Sequence, residues 1–221
     1  MSKSFSDIVK LEGTHAGVHF GVLFILLGVL TQAFAFHFSG GSELSLISGC
    51  LGIISVVLCS QRKISFYIFG FAQLITYVIL CVNEKLYGEI AENAFYFVTM
   101  LFGLFHWIKH YNENEIAVET RKMTRLQNVW VFIATVFGTL MLYTGLLRTD
   151  DTQPLLDAAT TAPAFIAQIL LIYRFKESWA YWFIIDFGAI FMWAIAGDWC
   201  MVLQYVFWTF NCIYGYYKWS D

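Results

Sequence analysis

Charge, proline and catalytic signatures are what this chain is short of. Charged residues make up 13% of its 221 positions, and proline occurs only as Pro154 and Pro163. A soluble domain carries about a quarter charged residues, so this chain cannot clothe a water-facing surface in the ordinary way. With so little proline, long helices run uninterrupted. No HExxH zinc site, Walker A loop or GxSxG nucleophile turn occurs, which argues against the common hydrolase and nucleotide-hydrolysing classes. The five cysteines, Cys50, Cys59, Cys81, Cys200 and Cys212, contain no CxxC pair. They read as free thiols in lipid- or core-facing positions, not as metal ligands or redox couples. No cofactor, metal or nucleic-acid partner is expected.

What the chain has is apolar surface, with 59% hydrophobic and 19% aromatic residues. In a bilayer the backbone must satisfy its own hydrogen bonds, so helices are the default way across. A span needs about 20 mostly apolar residues. Eight stretches qualify, at 17–37, 44–60, 64–82, 87–108, 128–147, 155–173, 178–196 and 199–217. Charged boundaries such as Arg62-Lys63, Glu84-Lys85 and Arg174-Phe175-Lys176 separate them, and only 109–127 makes a substantial polar loop.

The basic residues test this count independently. With the N-terminus inside, inner segments hold 11 of the 13 lysines and arginines, and outer segments hold only Lys85 and Arg148. A miscounted helix would scramble the alternation, so eight spans with both termini cytoplasmic are expected. Lys3 and Lys10 ahead of an apolar run ending Ala33-Phe34-Ala35 imitate a secretory leader. The run is long for one, and the first helix is expected to be retained.

An internal repeat follows from two helix endings. Leu101-Phe102-Gly103-Leu104-Phe105-His106-Trp107 and Ile213-Tyr214-Gly215-Tyr216-Tyr217-Lys218-Trp219 place both glycine and tryptophan 112 residues apart. Phe66, Phe69 and Gln73 of the third span match Trp179, Trp182 and Asp186 of the seventh at an offset of 113. Each trio lies on one helical face. Spans two to four thus read as a copy of spans six to eight. A three-helix unit reverses direction, so parallel copies need an intervening helix, and span five is the candidate. The expected division is 1–43 with an extra membrane helix, 44–109 as the first repeat, 110–150 as loop and linker helix, and 151–221 as the second repeat. Parallel repeats of this kind are a transporter design with the site between halves.

Polar side chains inside spans are costly and usually face a cavity or a partner. Each repeat helix carries a stripe of them: Gln73 and Tyr77; Glu92, Asn93, Tyr96 and Met100; Thr160, Thr161 and Gln168; Trp182 and Asp186; Gln204, Trp208 and Asn211. Aromatic faces attract cations and stack on flat rings. An aspartate supplies a counter-charge, and amides both donate to and accept from hydroxyls. The set suits a flat, cationic ring bearing a sugar or alcohol. Trp107, Trp179 and Trp219, near span ends, read as interfacial belt residues. Pro163 in span six, with Gly49 and Gly52 at the matching depth of span two, suggests interrupted helices acting as hinges.

The stretch Trp179-Ala180-Tyr181-Trp182-Phe183-Ile184-Ile185-Asp186 resembles a Trp-x-x-Trp-x-x-x-Asp signature, and Asn211-Cys212-Ile213-Tyr214-Gly215-Tyr216-Tyr217-Lys218-Trp219 an Asn-x-x-x-Gly-Tyr-x-x-Trp signature. Glu92-Asn93-Ala94-Phe95-Tyr96 followed by Gly103 and Trp107 resembles the first-repeat counterpart, and Phe105-His106 stand where further tryptophans are commoner. Together these resemble the PnuC family, the nicotinamide riboside (nicotinamide mononucleotide) transporters, over roughly 44–219. The resemblance implies an all-α fold with a SWEET-like 3+1+3 core. It also implies a homotrimer in the lipid of the bacterial inner membrane. It implies facilitated diffusion without ion coupling, a cytoplasmic riboside kinase that traps the imported substrate, and a place in NAD biosynthesis. By motif match Trp182 would stack on the ring. Gln73, Asn93 and Asn211 would bind hydroxyls or the carboxamide, and Asp186 would order the site. Close relatives carry thiamine or riboflavin, and a non-transporting scaffold subunit is a further alternative. With no lysine or arginine inside the spans, phosphorylated ligand is expected to be excluded.

Overall fold

The computed structural model describes residues 4–14, 20–39, 42–83, 87–149, 154–196 and 199–220. Lys3, the Glu84-Lys85 boundary and the side chains of Cys81 and Cys200 lie outside this description. The described residues form helices α1 (Phe5–Thr14), α2 (Phe20–Ser39), α3 (Glu43–Ser60), α4 (Phe66–Asn83), α5 (Tyr87–Lys109), α6 (Arg125–Leu146), α7 (Pro154–Ile172), α8 (Ser178–Ala196) and α9 (Trp199–Lys218). A short antiparallel hairpin, β1 (Tyr111–Asn112) with β2 (Ala117–Val118), follows α5. Helices α2 to α9 coincide with the eight expected apolar stretches. Helix α1 is an addition that hydrophobic runs alone do not reveal.

Among the described residues, Gly21–Phe38, Glu43–Ser60, Arg125–Leu146 and Pro154–Ile172 are long and apolar enough to cross a membrane, and Phe66–Ile79 and Ser178–Phe191 are shorter apolar stretches. Many large apolar side chains point outward, including Leu23, Leu30 and Phe38 on α2 and Phe132, Phe137 and Leu140 on α6. Helix α6 buries none of its residues. Such surfaces suit lipid as solvent and not water.

The chain divides into two units, Met1–Glu119 and Thr120–Asp221. In unit 1, α2 packs on α3, α3 on α4, and α4 on α5; in unit 2, α6 packs on α7, α7 on α8, and α8 on α9. Local signals start these helices. Ser42 caps α3 by accepting from Ser45 N at 3.1 Å. Thr124 and Gln127 form a reciprocal capping box at the start of α6, at 3.2 and 2.8 Å. Each satisfies amides that the helix itself cannot.

The same turn is built twice. Helix α3 ends with Arg62 N bonded to Cys59 O and Lys63 N to Leu58 O, and α7 ends with Arg174 N bonded to Leu171 O and Phe175 N to Leu170 O. This is the Schellman pattern, which needs a left-handed residue. Arg62 (φ 64°) and Arg174 (φ 65°) take that conformation in place of glycine. Helix α4 then begins with Tyr67 N to Ile64 O and Ile68 N to Ser65 O, and α8 with Trp179 N to Lys176 O and Ala180 N to Glu177 O. Every one of these pairs is offset by 112 residues. The offset of 113 inferred for the third and seventh spans is therefore corrected to 112. Tyr67 corresponds to Trp179, and Gln73 corresponds to Ile185 instead of Asp186.

The tryptophans expected in an interfacial belt are core residues. Trp107, Trp219 and Trp179 are 0%, 1% and 3% exposed. In unit 1, Trp107 meets Tyr67 edge-on at 5.6 Å and Phe66 at 4.9 Å. In unit 2, Trp219 meets Trp179 edge-on at 5.5 Å. Gly215 makes room for this pair, since a Cβ there would lie 2.6 Å from the Trp179 ring.

Candidate functional site

Within unit 2 three helices each bury a polar side chain in an apolar bundle. Asp186 on α8 is 4% exposed, Asn211 on α9 is 0% exposed, and Gln168 on α7 is buried. The Cys212 thiol donates to Asp186 Oδ2 at 3.2 Å, joining α9 to α8 at this depth. One turn before Asp186, Trp182 packs against Ala164, Ala167 and Ile185. The small residues of α7 bring that helix close enough for this contact. Two residues beyond Asp186, Gly188 faces the Thr160 methyl. The Thr160 hydroxyl bonds back to Leu156 O and Asp157 O of its own helix.

Further along α9, Gln204 and Trp208 are half-buried, and Trp208 stacks edge-on with Tyr205 at 5.2 Å. The Trp208 indole N–H is buried with no hydrogen-bond acceptor among the described residues.

In unit 1 the expected residues are placed differently. Asn93 on α5 is buried, and Gln73 on α4 is half-buried. Tyr96 donates to Glu92 Oε1 at 2.6 Å along the same helix. Where unit 2 has Trp182, unit 1 has Gly70, whose missing side chain admits Met100 and Ser55. Leu74 stands at the position of Asp186, and Thr99 at that of Asn211.

Of the expected site residues in unit 2, Asp186 is bonded by the Cys212 thiol, Trp182 lies one turn before it on α8, and Asn211 is buried on α9 as the neighbour of Cys212 in the chain. Gly49, Gly52 and Pro163 lie within the continuous helices α3 and α7. Gly49 faces the Gln32 side chain of α2, where a Cβ would come within 2.6 Å of Oε1. A close approach of α2 thus explains this glycine. Cys212 is the residue the sequence reading passed over. It sits beside Asn211 and four residues after Trp208, so helical spacing alone puts it near the stripe.

Comparison with known proteins identifies the family. The family model for the nicotinamide mononucleotide transporters matches residues 42–221. The nicotinamide riboside transporter PnuC of Neisseria mucosa is 32% identical over 213 residues, covering 91% of this chain and 81% of that protein. The PnuC of Haemophilus influenzae is 30% identical, covering 96% and 94%. A crystal structure of the vitamin B3 transporter PnuC superposes with a TM-score of 0.81 at 30% identity, covering 99% of this chain and 97% of that one. The chain belongs to the PnuC family of membrane transporters.

Proposed function

We propose that this chain carries nicotinamide riboside across the bacterial inner membrane for NAD biosynthesis. The observation that carries this reading is the buried Asp186, bonded by the Cys212 thiol and one helical turn from the Trp182 indole, in a unit that also buries Asn211 and Gln168. A pyridinium is a flat cation, and an indole face with a nearby carboxylate suits it. In unit 2, Asn211 and Gln204 are the amide partners proposed for the ribose hydroxyls and the carboxamide, with Trp208 beside them on α9; in unit 1, Asn93, Gln73 and Tyr96 are the residues proposed to bind substrate. The names of the relatives support the same substrate.

The architecture that accompanies this reading is eight spans in a SWEET-like 3+1+3 core preceded by an extra helix, with both termini cytoplasmic. The distribution of basic residues supports the orientation. The Schellman turns repeated at an interval of 112 residues support the duplication. Assembly as a homotrimer completes the picture. Transport runs downhill without ion coupling, and a cytoplasmic kinase traps the riboside by adding a charge that no intramembrane cation meets.

Calorimetry and proteoliposome uptake test the proposal together. Nicotinamide riboside binds and equilibrates, nicotinamide mononucleotide does not, and Trp182→Ala abolishes binding. Binding of thiamine or riboflavin without riboside binding would replace the substrate. Uptake that collapses without a proton or sodium gradient would replace the mechanism. A parent chain that carries none of the three would leave the scaffold reading.

A further inference from the structure

Helix α1 docks on unit 1 through one face. Ile8 and Glu12, four residues apart, are buried, whereas Ser6, Asp7, Lys10 and Gly13 are exposed. Glu12 places both carboxylate oxygens on backbone amides: Oε1 accepts from Ile64 N at 2.8 Å and Oε2 from Ser65 N at 3.0 Å. These amides belong to the two residues just ahead of α4, in the turn that opens the helix. A carboxylate there also meets the positive end of the α4 dipole.

Such a cap usually comes from the residue at the helix start. Here it comes from a separate segment, 52 residues earlier in the chain. Unit 2 is built otherwise: Glu177, just before α8, turns back and accepts from Met123 N through both oxygens at 3.1 Å. The turn before α4 is gripped a second time by the hairpin. Val118 N donates to Arg62 O at 2.9 Å, Lys63 Nζ donates to Ile116 O, and Arg62 pairs with Glu115 at 3.4 Å. Tyr111 on β1 adjoins Glu12 as well: burial first, then the charges of Glu12 and Glu113, push its phenol above the ordinary range.

We propose that Glu12 is a positioning residue for transport: α1 straps the start of α4 and so sets the depth of Gln73, two turns along, without touching substrate. The role assigned to Gln73 rests on the transport reading above. Without the carboxylate, the amides of Ile64 and Ser65 turn to water, and the first turn of α4 frays. Gln73 then samples several depths, which weakens binding but does not slow the passage of bound substrate.

Two measurements on the full-length protein decide the matter. Amide hydrogen exchange of the peptide spanning 61–66 reads the strap, and riboside uptake by proteoliposomes reads its consequence. Glu12→Ala raises the exchange rate at least tenfold and raises KM at least fivefold, with Vmax within twofold of the parent. Glu12→Gln, whose amide oxygen still accepts one bond, falls between. Lys10→Ala, on the exposed face, matches the parent in both. Unchanged exchange overturns the proposal, as does faster exchange with an unchanged KM. A loss of Vmax alone overturns it too, because that marks fewer folded copies. If Glu12→Ala does not reach the membrane, Glu12→Gln carries the same comparison. A parent chain that takes up no riboside would remove the substrate reading and leave the exchange contrast to judge the strap.

Discussion

Gly215→Ala is the sharpest single-methyl test of how the end of α9 is packed. An added Cβ would stand 2.6 Å from Trp179 Cδ2 and Cε2 and 2.9 Å from Cε3. Carbon atoms rest at about 3.5–4.0 Å, so the indole must retreat by about 1 Å. It has nowhere to go, because Trp179 is buried and the Trp219 ring stands edge-on against it. Overpacking of this kind costs about 1–3 kcal/mol, and the better helix propensity of alanine returns up to about 1 kcal/mol. With the full propensity gain the net loss is about 0–2 kcal/mol, centred near 1 kcal/mol, and each kcal/mol lowers Tm by about 2–4 °C for a chain of this size. Thermal unfolding in detergent reads it. Gly138→Ala is the matched control, since its Cβ meets only the Ala162 methyl at 3.8 Å; it gains propensity without a clash and unfolds no earlier than the parent. Trimming the indole with Trp179→Phe in the Gly215→Ala background recovers part of the loss, as expected for touching residues. If Gly215→Ala and Gly138→Ala unfold at the same temperature, the close-approach account of the repeated glycine is wrong.

Three further outcomes use the same unfolding assay. Cys212→Ala leaves Asp186 without its thiol donor and costs about 1–2 kcal/mol, while Cys212→Ser, which keeps a hydroxyl donor, costs less; equal losses would show that the bond contributes nothing. Trp107→Ala costs about 3–5 kcal/mol as a buried aromatic truncation, whereas Trp130→Ala, 63% exposed on α6, stays within about 0.5 kcal/mol; a small effect at Trp107 would return it to the interfacial belt. Thr124→Ala breaks the capping box of α6 and costs about 1 kcal/mol, with Thr124→Ser retaining most of the stability.

The helices were legible because lipid imposes a coarse rule, apolar for about 20 residues, which among the described residues α2, α3, α6 and α7 meet in full and α4 and α8 over a shorter stretch. Helix α1 obeys a different rule. Among its described side chains only Ile8 and Glu12 are buried, and one of these is a carboxylate, so no apolar run announces it. Its partner amides at Ile64 and Ser65 lie far along the chain, and no local spacing connects them. The tryptophans misled for a related reason. Trp107, Trp179 and Trp219 stand near helix ends, where a belt is the usual explanation, but belt and core look alike until Trp107 is seen packed on the start of α4 and Trp219 on Trp179 at the start of α8. Cys212 was hidden by residue type, because a thiol in an apolar run reads as packing and its donor role appears only when α8 is set against α9.

The register of the repeat bears most directly on how the site is understood. Matching by residue type paired Gln73 with Asp186 and suggested polar groups supplied in duplicate. Matching by backbone hydrogen bonds sets Leu74 at the place of Asp186, Gly70 at that of Trp182 and Met100 at that of Cys212. The turns, the first backbone hydrogen bonds of α4 and α8 and the edge-on aromatic pairs are what the two halves share, and these are features of scaffold. Trp182, Asp186 and Asn211 have no like counterpart in unit 1. Selection on a duplicated bundle can hold the packing fixed in both copies while the chemistry departs in one. The carboxylate at Asp186 therefore stands on its own burial and its bond to Cys212, and the role proposed for it is to be judged on unit 2 alone.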